Sequence, residues 1–451
     1  MRSSFVAARG ALGLPRLLQL PRLLRLPRLL RLLRLLGLLG VLGGVAFGSP
    51  AAASGQPPAR SQQLLGLALT QRLGPVSAHN GAYVVDLTTG RPLFSSAPDT
   101  PRLPASVQKL YTTATALLRF GPSAALSTTL LGQGKLGPRG AWTGTLYLRG
   151  GGDPTFGSAA FDQSNYRTGA TIQRLVSALV GRAGIKSVAG QVIGDESYFD
   201  SLRGTPATGF SYSFWVEGSL SALVFDRGVL DHGIAHVRHP AVYAAQQLVA
   251  ALRASHVEVS RAMRVNAGTT PAGAQLLATV ASPSIARLIA LTNSPSDNFF
   301  AEMLLKGIGA RFGGRGSTAA GAAVVRGELA GQFGITPTFN DGSGLSRADF
   351  TTPRQVVTLL SQLAQNPYFE SSLAVAGETG TLQHEMRGTV AQGRCRGKTG
   401  TLSDVASLAG YCRAVDGHML AFAFLMNGLG DSSYGHAVEA NMAVALTRYD
   451  G

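Results

Sequence analysis

The sequence predicts an α/β protein of the α+β kind, with an antiparallel sheet flanked by helices and interrupted by an inserted domain. Three observations lead there. β-like runs lie at both ends of the chain, at 81–87 and 91–95 and again at 395–411 and 420–426. Helix-like apolar spacing lies between these end runs and after the last, at 104–120, 283–292, 353–365 and 439–447. Hairpin strands accompanied by such helices pack as a sheet covered by helices. Between 123 and 280 the character changes: glycine is frequent, and short β-like runs (Leu146–Leu148, Ser187–Val192) mix with helix-like ones (Thr171–Arg182, Ala241–Ala254). The chain therefore divides into a leader at 1–53, a main domain in two parts at 54–122 and 281–451, and an insertion at 123–280.

Composition supports a folded chain. At 451 residues there is length for two or three domains, and 45% hydrophobic with 14% charged residues is a globular composition. The net charge of +16 is partly local, because residues 1–50 hold eight Arg and no Asp or Glu, half of the excess. The remainder fits mild attraction to an anionic envelope or an acidic polymer. No basic run with interleaved aromatics follows, which argues against a nucleic-acid partner. In the leader, Arg-rich Leu-Pro-Arg-Leu-Leu repeats precede Leu35–Phe47, an uncharged apolar run of thirteen residues, and then Ser49-Pro50-Ala51-Ala52-Ala53. A secretory core needs about 7–15 apolar residues and a membrane span about 18 or more. The run favours a cleaved export signal, while the long Arg-rich region leaves membrane association through this segment open. The chain is expected in the periplasm or cell envelope.

After a helix-like segment at Gln62–Gln71, Gly81–Leu87 and Arg91–Ser95 read as a hairpin about Thr88-Thr89-Gly90. Pro104 then opens a helix that runs to Phe120 and stops at Gly121-Pro122. Ser106 and Lys109 stand at i and i+3 on it and share a face. A partly desolvated lysine releases its proton readily, and the neutral amine can take the proton of a serine. Lysine is scarce, five against thirty-five Arg. Arg cannot be deprotonated in a protein, so a Lys at this position points to base chemistry.

In the insertion, Gly150-Gly151-Gly152-Asp153-Pro154 has neither GxGxxG spacing nor a Gly-Lys-Thr ending and reads as a tight turn. His232, His236 and His239 are flanked by turn formers without an acidic partner at metal spacing, so no metal is expected. Farther on, Ser296-Asp297-Asn298 precedes an apolar helix, and either Ser296 or Asn298 could cap it. Near the end, Gly397-Lys398-Thr399-Gly400-Thr401 closes a strand, Ser403-Asp404 turns the chain, and Val405–Tyr411 returns. Cys395 and Cys412 lie symmetrically about that turn, so a cross-strand disulfide and two buried thiols both stand open.

Ser106-x-x-Lys109, Ser296-Asp297-Asn298 and Lys398-Thr399-Gly400 form an ordered set known from class A β-lactamases and penicillin-binding proteins. In it Ser106 is the nucleophile and Lys109 the base. Ser296 and Asn298 relay a proton to the leaving amine and hold the substrate amide. Lys398 and Thr399 offer a cation and a hydroxyl to a carboxylate, and Gly400 lets the strand edge approach the substrate. The backbone N–H groups of Ser106 and Thr401 are candidates for the oxyanion hole.

With these motifs the sequence resembles the class C penicillin-binding D-alanyl-D-alanine carboxypeptidase/endopeptidases (the PBP4 or DacB type, peptidase family S13). Leu148-Arg149-Gly150-Gly151-Gly152-Asp153-Pro154-Thr155, Asn340-Asp341-Gly342-Ser343-Gly344-Leu345, Gly380-Thr381-Leu382 and the 397–402 run carry the resemblance, which covers about 80 to 451. It implies a penicilloyl-serine transferase (β-lactamase-like) fold split by an insertion, and hydrolysis of peptidoglycan stem peptides at D-Ala bonds. It also implies covalent inhibition by β-lactams, with no cofactor. A further β-rich domain usual in the family is missing or much reduced here, because Ser221-Ala222-Leu223 leads within about twenty residues to Pro240-Ala241-Val242-Tyr243. A β-lactamase and a non-catalytic penicillin-binding wall protein are the alternative readings.

Overall fold

The computed structural model describes residues 60–230 and 235–451, and two sheets organise them. Helix α1 (Arg60–Leu73) leads into strands β1 (His79–Asp86) and β2 (Arg91–Ser96), a 3₁₀ turn (Ala105–Gln108) and α2 (Lys109–Phe120). A second group follows: β3 (Ala125–Leu136), β4 (Ala141–Arg149), α3 (Ala159–Asn165), α4 (Ile172–Ala183) and β5 (Ser187–Asp195). The two-residue strands β6 (Val229–Leu230) and β7 (Ala235–His236) precede α5 (Pro240–Ala254), β8 (Glu258–Val259), β9 (Arg264–Ala267) and β10 (Gln275–Ser284). Then come α6 (Ile285–Asn293), α7 (Asn298–Phe312), α8 (Thr318–Glu328), α9 (Pro353–Leu363), α10 (Pro367–Ser371) and β11 (Ala374–Val375). The chain closes with β12 (Cys395–Leu402), β13 (Val405–Arg413), β14 (Met419–Asn427) and α11 (Ser432–Thr447).

The main sheet has the order β11-β12-β13-β14-β1-β2 and is antiparallel throughout. It joins the first and last parts of the chain, as the terminal hairpins predict. Strands β13 and β14 are buried along nearly their whole length, which is why they read as almost unbroken apolar runs. On one face Leu65 and Leu69 of α1 and Met442 and Leu446 of α11 pack against Phe422 and Phe424. On the other, Leu110 and Tyr111 of α2, Phe299 and Phe300 of α7 and Val356 and Leu360 of α9 form the larger core. Each such side chain contributes roughly 1.5–3 kcal/mol by leaving water.

The second sheet, β10-β3-β4-β5-β8 with β9 also on β5, is mixed rather than antiparallel. β4 and β5 run parallel, Ala141 beside Ser187 through Arg149 beside Asp195, because α4 carries the chain back across one face. Between Leu223 and Pro240 the described residues form a 3₁₀ turn (Asp226–Gly228) and the short β6–β7 pair. His232 lies outside the described residues; the ring of His236 stacks on Tyr212 at 3.9 Å, and His239 precedes α5. Helix α11 begins at Ser432 rather than Glu439, capped by Asp431, whose side chain accepts from Ser433 N.

Cys395 sits opposite Cys412 in the β12–β13 register, and the two form a disulfide with a sequence separation of 17. A closed loop of that size is worth about 3 kcal/mol in the chain-entropy model. The Cys395→Ala/Cys412→Ala double variant is therefore expected to unfold at lower denaturant by about that much. An unchanged denaturation midpoint would show that the bridge contributes nothing to stability.

Candidate active site

The nucleophile stretch is tighter than the predicted helix. Val107 N donates to Pro104 O at 3.2 Å, so residues 105–108 make a 3₁₀ turn and α2 proper starts at Lys109. In a 3₁₀ turn residues i and i+3 eclipse one another, which stacks Lys109 directly over Ser106. Ala105, just before the serine, adopts φ +47°, a conformation that costs a side-chain-bearing residue roughly 1–3 kcal/mol. Gly344 makes room for it: a Cβ there would lie 1.9 Å from Ala105 O.

Lys109 is fully buried, and its Nζ meets three oxygens: Ser106 Oγ at 2.7 Å, Asn298 Oδ1 at 2.6 Å and Ser343 O at 2.8 Å. A neutral amine has two N–H donors and one lone pair. Asn298 and Ser343 can take the donors, leaving the lone pair for the Ser106 hydroxyl. Burial pulls the Lys109 pKa down to about 8, even though nearby carboxylates, Asp341 foremost, favour the charged form.

Those carboxylates form a buried cluster beneath the lysine. Glu302 Oε1 accepts from the N–H groups of Gly342 and Ser343, which fixes the carbonyl that Lys109 uses. Asp341 accepts from Gly344 N and Ser346 N, and Asp349 from Asn340 N. Burial raises all three above the ordinary carboxylate range, and Asp341 pushes Glu302 and Asp349 further.

Ser296 and Asn298 reach the same cleft from the start of α7. The helix cap is neither of them but Asp297, whose Oδ1 accepts from Phe300 N at 2.9 Å. Ser296 is held at φ +66° with its hydroxyl free of protein partners among the described residues. Asn298 Nδ2 donates to Trp215 O at 2.7 Å, so both ends of its amide are engaged. Asp297 also pairs with Arg227, which lies over the rings of Tyr166, Phe299 and Phe300 at 5.3–5.5 Å. Arg227 Nε donates to Tyr166 OH at 2.6 Å.

The opposite wall is β12. β11 pairs only with Arg396 and Gly397, so from Lys398 to Leu402 the outer edge has no strand neighbour among the described residues. An extended peptide can add to such an edge. Gly400 is required by close approach: a Cβ there would lie 2.6 Å from Pro104 O and 3.0 Å from Ser106 N. Thr399 and Thr401 line the cleft, and the Thr399 hydroxyl donates to Thr381 Oγ1 at 2.8 Å. Lys398 lies elsewhere than expected. It does not line the cleft: it is fully buried in β12 near Lys109, its amine donates to Thr399 O, and burial with Lys109 nearby holds its pKa well below the usual lysine value.

The cleft encloses about 690 Å³ and brings together Ser106, Ser296, Asn298, Thr399 and Thr401, with Lys109 directly behind Ser106. Its remaining wall holds residues the motifs do not reveal: Phe214, Trp215, Glu217 and Arg347. One signal was available, since the chain has two Trp and Trp215 is 68% exposed. Arg347 spans the rim to Asp404 at 2.5 Å and Ser403 at 3.0 Å. Cys395 and Cys412 stand at the far end of the β12–β13 hairpin from the Ser403-Asp404 turn.

Comparison with known proteins agrees with this architecture. The D-alanyl-D-alanine carboxypeptidase of an Actinomadura species is 31% identical over 83% of this chain and 82% of its own length. A carboxypeptidase of Mycobacterium tuberculosis is 30% identical over 77% of this chain and 76% of its own. The crystal structure of penicillin binding protein 4 from Haemophilus influenzae superposes with a TM-score of 0.70 at 22% identity, covering 84% of this chain and 99% of that one, and so shares the fold. The sequence profile of the D-Ala-D-Ala carboxypeptidase 3 (S13) family matches residues 67–210 and 213–449, and this chain belongs to that family.

Proposed function

We propose that this chain is a serine-type D-Ala-D-Ala carboxypeptidase, with endopeptidase action on cross-linked stem peptides, working through an acyl-enzyme on Ser106. The observation that carries the reading is the Lys109 amine, buried, depressed to about 8 and 2.7 Å from Ser106 Oγ. About a tenth of it is neutral at pH 7. Ser106 Oγ attacks the carbonyl of the penultimate D-Ala while its proton passes to Lys109 Nζ. The negative oxygen of the tetrahedral intermediate sits between the N–H groups of Ser106 and Thr401. As the C–N bond breaks, the proton returns through the Ser296 hydroxyl to the leaving amine. Water then repeats the sequence on the ester and frees Ser106.

The peptide lies along the open edge of β12. The Thr401 hydroxyl, with that of Thr399 alongside, receives the terminal carboxylate, and Lys398, buried with its amine on the Thr399 carbonyl, holds that strand edge in place. A β-lactam, which presents a carbonyl and a carboxylate at similar separation, acylates the same serine. The two-part main domain carries this site, and the 123–280 insertion supplies its Phe214–Glu217 wall. Residues 1–53 act as an export signal toward the periplasm or cell envelope; they lie outside the described residues. No described helix is long and apolar enough to cross a membrane.

Labelling with a fluorescent penicillin, together with D-Ala release from a D-Ala-D-Ala peptide, tests the reading. A long-lived adduct and D-Ala release are expected, with the acylation rate rising through about pH 8 and levelling above it, because the reactive form of Lys109 is the deprotonated one. Rapid turnover of the penicillin would assign a β-lactamase instead, and folded protein without adduct a non-catalytic wall protein. Digestion of purified peptidoglycan reports the endopeptidase share as monomers released from cross-linked dimers.

A further inference from the structure

Beside the Ser106 cleft, and sharing Thr381, Thr399 and Thr401 with it, lies a second cavity of about 200 Å³ whose His436 and Glu439 the reaction above does not use. It holds a hydroxyl–imidazole–carboxyl chain. Thr401 Oγ1 is 2.8 Å from His436 Nε2, and His436 Nδ1 is 3.0 Å from Glu439 Oε2. Thr401 belongs to both spaces, lining this cavity and the Ser106 cleft. The Glu439 side chain is 2% exposed and its Oε1 has no partner among the described residues. Of the elements around the ring, α11 contributes Glu439, and the segment after β11 contributes Glu385. β12 and β13 offer Thr399, Thr401 and Leu408, without a charge on that side. At the hairpin tip Arg347 and Asp404 neutralise each other.

We propose that His436 is a specificity-determining residue that sets which way the Thr401 hydroxyl donates, and so whether the site prefers a free C-terminal carboxylate. The inference rests on the reading that Thr401 faces the substrate carboxylate. What sets the Thr401 orientation is the number of protons in the His436–Glu439 pair, whichever atom holds the shared one. With two protons, one lies between Nδ1 and Oε2 and the other is on Nε2, which donates to Thr401 Oγ1. The Thr401 O–H is then free to donate to a carboxylate. With one proton, Nδ1–H faces Glu439, and Nε2 has only a lone pair. Thr401 must then donate to Nε2, and it turns its own lone pairs toward the cleft. That arrangement opposes a carboxylate and accepts an amide N–H.

The surroundings favour the second proton near neutral pH. Burial is the largest single influence on His436 and works against its charge, but the Glu439 hydrogen bond and the charges of Glu439 and Glu385 together outweigh it and the ring pKa is raised. Burial pushes Glu439 up to about 7. The cavity gives the pair a route for exchange with water.

The test uses the full enzyme and one N-acylated D-Ala-D-Ala peptide as free acid and as C-terminal amide. For the wild type, KM for the acid is expected to rise about five- to tenfold between about pH 6 and 9, one hydrogen bond's worth, while kcat follows the separate Lys109 titration. The amide, read as substrate or inhibitor, should bind better at the alkaline end. His436→Gln keeps an N–H donor that cannot titrate, so the acid's KM should stay low and flat with pH. His436→Leu should give a flat, raised KM. If both variants hydrolyse the acid and keep the wild-type dependence of KM on pH, the proposal is overturned. A wild type that releases no D-Ala at any pH, or a Ser106→Ala variant that still does, overturns the underlying reading instead.

Discussion

Ser106→Ala is expected to abolish the penicillin adduct and to lower kcat for D-Ala release by about four to six orders of magnitude, with the fold unchanged. Both effects follow from one atom, because Ser106 Oγ is the hydroxyl that Lys109 Nζ meets at 2.7 Å. Lys109→Arg separates the base from the charge. Arginine keeps a cation above Asp341 and Glu302 but cannot deprotonate, so the site retains its field and loses its proton acceptor. A fall of about 10²–10⁴ in acylation rate is expected, and the rise through about pH 8 should disappear. Stopped-flow labelling across pH checks both. Retention of that inflection in Lys109→Arg would mean that another group, with Glu302 the nearest candidate, is the titrating one.

The parts of the site legible in the sequence are those built by local geometry. Ser106 and Lys109 meet because three residues of any tight helix bring them together, and the change from α to 3₁₀ left that outcome intact. The β12–β13 register followed from the Ser403-Asp404 turn, since a short hairpin fixes every pairing beyond it, Cys395 opposite Cys412 included. The sheet could be assembled from the terminal hairpins because antiparallel strands alternate or bury in readable patterns. Parallel pairing of β4 with β5 was not legible, as it depends on where α4 packs rather than on the strands themselves. The burial of Lys398 was equally hidden. A lysine in a strand reads as exposed unless the packing of both sheet faces is known. The Glu302–Asp341–Asp349 cluster comes from a helix and a loop whose spacing in sequence carries no chemistry. At the α7 terminus Ser296, Asp297 and Asn298 are all good capping types. What made Asp297 the cap was Arg227, seventy residues earlier, which holds the same carboxylate.

That pairing leads to the largest expected loss of stability. Asp297→Ala removes a helix cap, which by itself costs about 1 kcal/mol. It also leaves the Arg227 guanidinium, whose side chain is 14% exposed, without its main counterion. Breaking a buried pair by deleting one partner costs about 3–5 kcal/mol. Glu217 stands 3.6 Å from Arg227 but is half exposed, so it compensates little. A loss of about 4–6 kcal/mol in chemical denaturation is therefore expected, and a loss near 1 kcal/mol would show that the cap matters and the pair does not. Asp297→Asn keeps the cap and a hydrogen-bond acceptor for Arg227, so it should fall between. Catalysis should suffer beyond stability, because Ser296 at φ +66° and Asn298 flank the substituted residue. Once Asp297 no longer ties the turn to Arg227, Ser296 can relax toward an ordinary conformation and its hydroxyl leaves the cleft. Folded Asp297→Ala protein at low temperature should thus both acylate with penicillin and release D-Ala more slowly, since the leaving nitrogen in each reaction has lost its proton donor. Arg227→Met in the Asp297→Asn background removes both charges and should recover part of the stability. It should leave the catalytic defect in place, separating the energetic role of the pair from its role in placing Ser296.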